Sequence, residues 1–311
     1  MIPNDFTTHW LIGRALLTGQ NPYEVPYSVY PPATLFLFAI FALFPEKVGF
    51  MLWLLLSCGL LILTLRKSRP VLHTLGWFAY TPALFILAVG QLDIFFFWLS
   101  TFLEEKGWRA VAAAAIITLK PQLALFILPW FLLKWLVNDR QKILAWLGCL
   151  IVLHLAPLLL DPAIYSKWLN MVKIRSSFYI QNSPGIFSLT GQRFPGWVLV
   201  LVASLIVVLA LRLPHEGFTA GLILIGPVGV WYNSVLLAGS TPWYVLIPVS
   251  WVAVLLSVVA RAPYPFALIP LSTWMWHVVQ AKDAQEQESM WDMLRRLPAT
   301  LPFPSGKVPK Q

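Results

Sequence analysis

Between residues 32 and 280 the chain is one apolar run after another, and that succession leaves few folds open. A backbone in lipid must satisfy its own N–H and C=O groups, so runs near 20 residues read as helices that cross or nearly cross a bilayer. The runs fall at roughly 32–44, 48–65, 70–89, 91–104, 108–119, 121–136, 141–160, 196–212, 217–238, 242–260 and 263–280. The pieces at 91–104 and 108–119 are short for full spans and are expected to be tilted, broken or enclosed by protein. The expected fold class is all-α, a polytopic membrane helix bundle of roughly nine to eleven apolar helices. Composition agrees. Of 311 residues 59% are hydrophobic and 11% charged, with mean hydropathy +0.73, against about 25% charged in a soluble domain. The 16 tryptophans suit anchoring at headgroup level.

The net charge of +9 belongs to short basic loops and does not point to nucleic acid. Loops at 66–69, 106–109, 134–142, Arg212 and Arg261 are placed inside by the positive-inside rule. The Asp5 region, Gly90–Asp93, Lys120–Gln122, the loop 161–195 and Gly239–Trp243 then lie outside, and they hold most of the unusual polar residues. The scheme gives 32–65 one net crossing, with a break at Pro45-Glu46-Lys47 and a shallow or re-entrant 32–44. Loop 161–195 carries Lys167, Lys173, Arg175 and Arg193 against the bias, which suits a task such as holding phosphate. Tyr165, Trp168, Leu169 and Val172 have helical spacing, so its first half reads as an interfacial amphipathic helix. The organisation expected is a membrane domain over 1–280 and a polar, disordered tail over 281–311, with a short amphipathic turn near 290–297.

Cys58 and Cys149 lie inside apolar runs and read as buried free thiols. No CxxC, HExxH or clustered His/Cys set is present, so no metal or other bound cofactor is expected.

The first thirty residues differ from all that follows. They hold Asp5, His9, Arg14, several tyrosines and two turn signals just before the apolar runs. Asp5 reads as a helix cap or as a working carboxylate, and the roles are compatible. His9 is one turn further on the same face, placed to tune Asp5 or touch a substrate. Arg14 is an exposed helix arginine or a phosphate ligand. Tyr30-Pro31-Pro32 fixes the entry into the next helix, with Tyr30 free to face a ligand. Gln91 and Asp93 interrupt an apolar stretch, and an ionisable group at membrane depth is functional by default. Lys120, followed by Pro121-Gln122, either snorkels or meets a phosphate. Arg175, Tyr179 and Asn182 are candidates in the outer loop. Trp231-Tyr232-Asn233 and Ser240–Tyr244 interrupt late apolar runs and read as interfacial anchoring or, less simply, as an aromatic face for a sugar.

The order of these motifs resembles glycosyltransferase family 87, the polyprenyl-phosphate-mannose-dependent mannosyltransferases of the GT-C superfold. The likeness rests on Asp5-Phe6, on Ala15-Leu16-Leu17-Thr18-Gly19-Gln20-Asn21-Pro22-Tyr23, on Tyr30-Pro31-Pro32 and on Gly90 to Asp93. Looser matches are Leu119-Lys120-Pro121 and Gln181-Asn182-Ser183. The resemblance implies a GT-C bundle, a lipid-linked sugar as donor, a glycolipid or polysaccharide as acceptor, and a bacterial plasma-membrane protein working at the outer face. It puts the general base on Asp5. Together with the residue readings above, donor or acceptor contacts are expected at His9, Arg14, Tyr30, Gln91, Asp93, Lys120, Gln122, Arg175, Tyr179 and Asn182. The family carries a membrane helix before that Asp, whereas here only four residues precede it, so the expectation is a missing upstream span or an N-out insertion. Residue chemistry is compatible with the transfer. A sugar on a lipid phosphate has a good leaving group, so one carboxylate suffices to take the acceptor proton, and cations meet the departing charge. The alternatives are a lipid or small-molecule transporter, with polar groups near the midplane, and an inactive membrane scaffold.

Overall fold

The computed structural model describes residues 5–66, 71–181, 186, 195–226, 231–280 and 288–300, and among them the chain is helical with no strand. Four segments are long and apolar enough to cross a membrane: Glu46–Arg66, Pro121–Asn138, Arg140–Leu159 and Trp243–Ala260.

Helices α1 (Asp5–Leu17) and α2 (Leu35–Ala42) pack closely on each other and are too short to cross, at about 20 and 12 Å of rise. Gly13 permits the contact, because a Cβ there would come within 2.4 Å of the Phe38 carbonyl oxygen. Between them, Asn21 accepts a hydrogen bond from the Tyr23 amide and starts a 3-10 turn over Pro22–Glu24. Pro45 ends this shallow pair, and α3 (Glu46–Arg66) begins there with Gly49 against Phe6 and Phe41. Since α3 rises about 32 Å, Asp5 marks one end of the bundle and Arg66 the other.

The chain then winds between the two ends. α4 (Val71–Gly76), a 3-10 turn over Trp77–Ala79 and α5 (Thr81–Val89) return to the Asp5 end. The expected single helix at 70–89 is thus broken at Tyr80, just before Pro82 at the start of α5. The short α6 (Asp93–Ser100) and α7 (Trp108–Ile117) leave and come back, enclosed by neighbours. α8 (Pro121–Asn138) and α9 (Arg140–Leu155) make the next hairpin. Leu144, Ile151, Val152 and Leu159 of this second arm are exposed, as suits a lipid-facing helix. Cys58 and Cys149 are both free, as expected, but Cys149 is exposed on α9 and Cys58 half-buried, so neither is buried. α10 (Ile164–Gln181) lies over the Asp5 end, where Trp168 donates to the Val29 carbonyl at 2.9 Å.

α11 (Gly196–Ala210) runs to the far end and α12 (His215–Ile225) turns back. A 3-10 segment, Trp231–Leu237, then retraces that path, so the stretch read as a span at 217–238 enters and leaves on one side. Gly239 accordingly meets Leu65, one residue from Arg66, and the Ser240 backbone bonds His277, whose Cβ faces Gly217. This corrects the sequence-based orientation. Gly239–Trp243 lies at the Arg66 end, and Arg261, after α13 (Trp243–Ala260), lies at the Asp5 end. α14 (Leu268–Gln280) runs back, and α15 (Met290–Thr300) buries Met290 and Met293 while its Trp291 amide donates to the Leu211 carbonyl at 2.8 Å. Residues 281–287 and 301–311 of the polar tail lie outside the described residues.

Candidate active site

Phe6 sets the position of Asp5. Its ring packs edge-on to Phe41 and Phe50, and its Cβ occupies the space a side chain at Gly90 would need, 2.5 Å from that ideal Cβ. Gly90 caps α5 with φ +78°, a conformation that favours glycine. The two constraints put Asp5 against the residue that follows Gly90. The Gln91 amide donates to Asp5 Oδ2 at 2.5 Å, and among the described residues Asp5 Oδ1 has no hydrogen-bond partner.

Gln91 is itself held at its oxygen. The Tyr30 hydroxyl donates to Oε1 at 3.0 Å, and Lys120 Nζ approaches the same atom at 3.5 Å. With two donors on Oε1, the amide nitrogen is turned toward Asp5. Tyr30 is fixed in turn: its carbonyl accepts from Tyr23, its ring meets Phe38 edge-on, and its hydroxyl lies 3.2 Å from His9 Nε2. His9 stacks flat on Phe38, 4.4 Å between centroids.

Behind this layer is a buried ion pair. Lys120 Nζ lies 2.6 Å from Asp93 Oδ2, the side chains 4% and 0% exposed. Asn233 donates to the other oxygen, Asp93 Oδ1, at 2.5 Å. The ammonium also lies over the Tyr232 ring, 5.5 Å from its centroid, and Tyr232 stacks on Phe85. Asp93 begins α6, where the exposed amides of a helix N-terminus favour an anion. Thr34, two residues after the Pro31-Pro32 turn, donates to the Leu119 carbonyl at 2.6 Å and ties that turn to the backbone beside Lys120.

Burial pushes the Asp5 carboxyl above the ordinary carboxylate range; the Gln91 bond and the Lys120 charge pull the other way, and Asp93 adds to the rise. His9 is pushed down to about 3 by burial first and by Lys120 second, so it is a neutral ring at physiological pH. The cluster therefore contains two carboxyls, one ammonium and a neutral imidazole. The cavity beside Asp5, walled by Phe6, His9, Phe38, Phe41 and Trp53, measures about 10 Å³, one water at most.

Asp5, His9, Tyr30, Gln91, Asp93 and Lys120 thus form one connected cluster. Arg14 stands apart, exposed on α1 in an open groove of about 640 Å³ with Gln20 and Glu24. Gln122 is half-buried, with no polar contact to the cluster among the described residues. The side chains of Arg175 and Tyr179, and all of Asn182, lie outside the described residues. Lys120, read as snorkelling or meeting a phosphate, is paired with Asp93 in this structure. Asn233 and Tyr232, read as interfacial anchors, are instead part of the cluster. Their signal was an amide interrupting an apolar run, masked by its aromatic neighbours.

The fold and this cluster define a membrane-embedded bundle with a polar centre at one end, built around a carboxylate held at one oxygen by Gln91. The family model for glycosyltransferase family 87 matches residues 29–224, and the chain belongs to that family. The match includes Tyr30, Gln91, Asp93 and Lys120, while Asp5, His9 and Asn233 fall on either side of it. No curated protein and no solved structure matches the chain. It is a membrane glycosyltransferase by family.

Proposed function

We propose that this glycosyltransferase moves mannose from a polyprenyl-phosphate donor to a hydroxyl of a glycolipid or polysaccharide, in a GT-C type bundle at the outer face of a bacterial plasma membrane. The observation that carries this reading is Asp5: Gln91 holds Oδ2, and among the described residues Oδ1 has no hydrogen-bond partner. The acceptor oxygen attacks C1 of the sugar as the C1–O bond to phosphate breaks. The bonding pair leaves with the lipid phosphate, and the acceptor proton passes to Asp5 Oδ1. One displacement inverts the anomeric centre, so a β-linked donor gives an α product.

Lys120 acts in this reading through Gln91 and Asp5. The charge on the departing phosphate falls to cations outside the ion pair, with Arg175 on α10 the leading candidate and Arg14 the second. No resident metal is invoked. Against a transporter stands the position of the cluster at one end of the bundle, among the starts of α1, α6 and α8 and the ends of α5 and α7.

The test supplies membranes containing the chain with labelled polyprenyl-phosphate-mannose or labelled nucleotide-mannose. Label reaching an acceptor from the lipid donor alone, in an α linkage, supports the proposal. Transfer from the nucleotide sugar alone, or from neither, overturns it.

A further inference from the structure

The re-entrant 3-10 segment Trp231–Leu237 enters the bundle and places one amide beside the ion pair. We infer that Asn233 is a positioning residue for the catalytic carboxylate: by holding Asp93 Oδ1 it keeps the Lys120 ammonium shared between Asp93 and Gln91, and so fixes the Gln91 amide that orients Asp5. This rests on the reading of Asp5 as the base.

Asn233 is fully buried, and its bond reaches across the chain to α6. The two Asp93 oxygens have separate donors, Asn233 at 2.5 Å and Lys120 at 2.6 Å. The weakest bond in the sequence from Asn233 to Asp5 is Lys120 to Gln91, at 3.5 Å. Removing the Asn233 donor leaves a buried carboxylate oxygen unpaired, which is costly. The flexible Lys120 ammonium, already 2.6 Å from Asp93 Oδ2, is near enough to serve it, and it does so by moving across Asp93 and away from Gln91. Gln91 Oε1 then keeps only the Tyr30 hydroxyl, and its amide is free to turn from Asp5.

Among the described residues, the charged and titratable groups around Asp5 are Asp93 at the start of α6, Lys120 from the α7–α8 turn, His9 from α1 itself and Tyr30, whose hydroxyl meets both His9 and the neutral Gln91 amide. On α3 the nearest acid, Glu46, accepts from Thr7. A shift of Lys120 is therefore felt directly by Asp5, with no other cation to replace it among these groups.

The experiment reads the protonation of Asp5 itself. The full chain is placed in lipid nanodiscs and the carboxyl band is followed with pH by infrared difference spectroscopy, each protein against its own Asp5→Asn version. Asn233→Leu and Asn233→Ala remove the donor without changing net charge, and Lys120→Met marks loss of the cation. The expected result is an Asp5 midpoint raised by about half a unit to one unit in the Asn233 variants, and by more in Lys120→Met. A midpoint equal to the parent's in either folded Asn233 variant overturns the inference. Ordinary packing loss at Asn233 would lower the melting temperature and leave the midpoint in place. Sugar transfer is not read in this experiment. A raised midpoint in a chain that transfers no mannose fails the proposed reaction and leaves the Asn233 assignment standing.

Discussion

Gln91 is the residue on which the orientation and charge of Asp5 both depend. Burial raises the carboxyl of Asp5, and the Gln91 bond is the largest opposing influence. A base must be ionised to accept a proton, so transfer should fall as pH drops through the Asp5 midpoint. Gln91→Leu removes an influence that lowers that midpoint. The acid limb of the rate profile should therefore move to higher pH, by about one unit, with a matching rate loss at neutral pH. A limb at the parent's pH would separate Gln91 from the base. Lys120 adds to the same effect through space, but its main partner is Asp93. A buried pair of this kind contributes little net stability while intact and is costly when one member is removed. That explains how a lysine in an apolar stretch can serve a site without touching a substrate.

Elements place these residues through backbone contacts that a side chain would spoil. α1 rests on α2 at Gly13, where a Cβ would meet Phe38 O at 2.4 Å and Phe38 C at 2.5 Å. Neither atom can move without moving α2. Gly13→Ala should push the helices apart and cost about 1–3 kcal/mol of stability, read by thermal unfolding in detergent. Transfer should fall too, since Asp5 rides on α1. A fully stable Gly13→Ala protein would contradict this packing. Much at this scale was legible in the sequence. The break at Pro45, the turn at Tyr30-Pro31-Pro32 and the polar interruptions at Gln91, Asp93 and Lys120 all mark real boundaries, because proline and charge are hard to place inside an apolar helix. The re-entrant stretch was not legible. Residues 217–238 have the length and apolarity of a span, and the Gly226-Pro227 pair inside the run signals a helix end but not that the chain then turns back. Missing that reversal hid Asn233 and put Gly239–Trp243 and Arg261 at the wrong ends.

For the whole molecule, the consequence is an orientation that can be measured. α3 carries the chain from Asp5 to the Arg66 end, and Gly239 packs beside Leu65 there. In a chain with Cys58 and Cys149 replaced, Arg212→Cys and Ser240→Cys should react with an impermeant thiol reagent from one side of the membrane. Gln20→Cys and Arg261→Cys should react from the other. Labelling of Ser240→Cys together with Gln20→Cys would restore 217–238 as a crossing helix. The basic residues keep their bias in this arrangement, since Arg295 and Arg296 on α15 join Arg212 at the far end.

The central claim is that Asp5 is the group that takes the acceptor proton, and Asp5→Asn tests it most directly. Because burial raises the Asp5 carboxyl, folding favours its protonated form: that stability is present below the unfolded value and is lost as pH rises through the folded one. The neutral asparagine should therefore fold at least as well as the parent near pH 7. The measurement is transfer of labelled mannose from polyprenyl-phosphate-mannose by parent and variant at equal folded yield. We expect the variant to lose at least about a hundredfold in rate, with thermal stability equal or higher. A folded Asp5→Asn protein that transfers mannose near the parental rate would contradict the account.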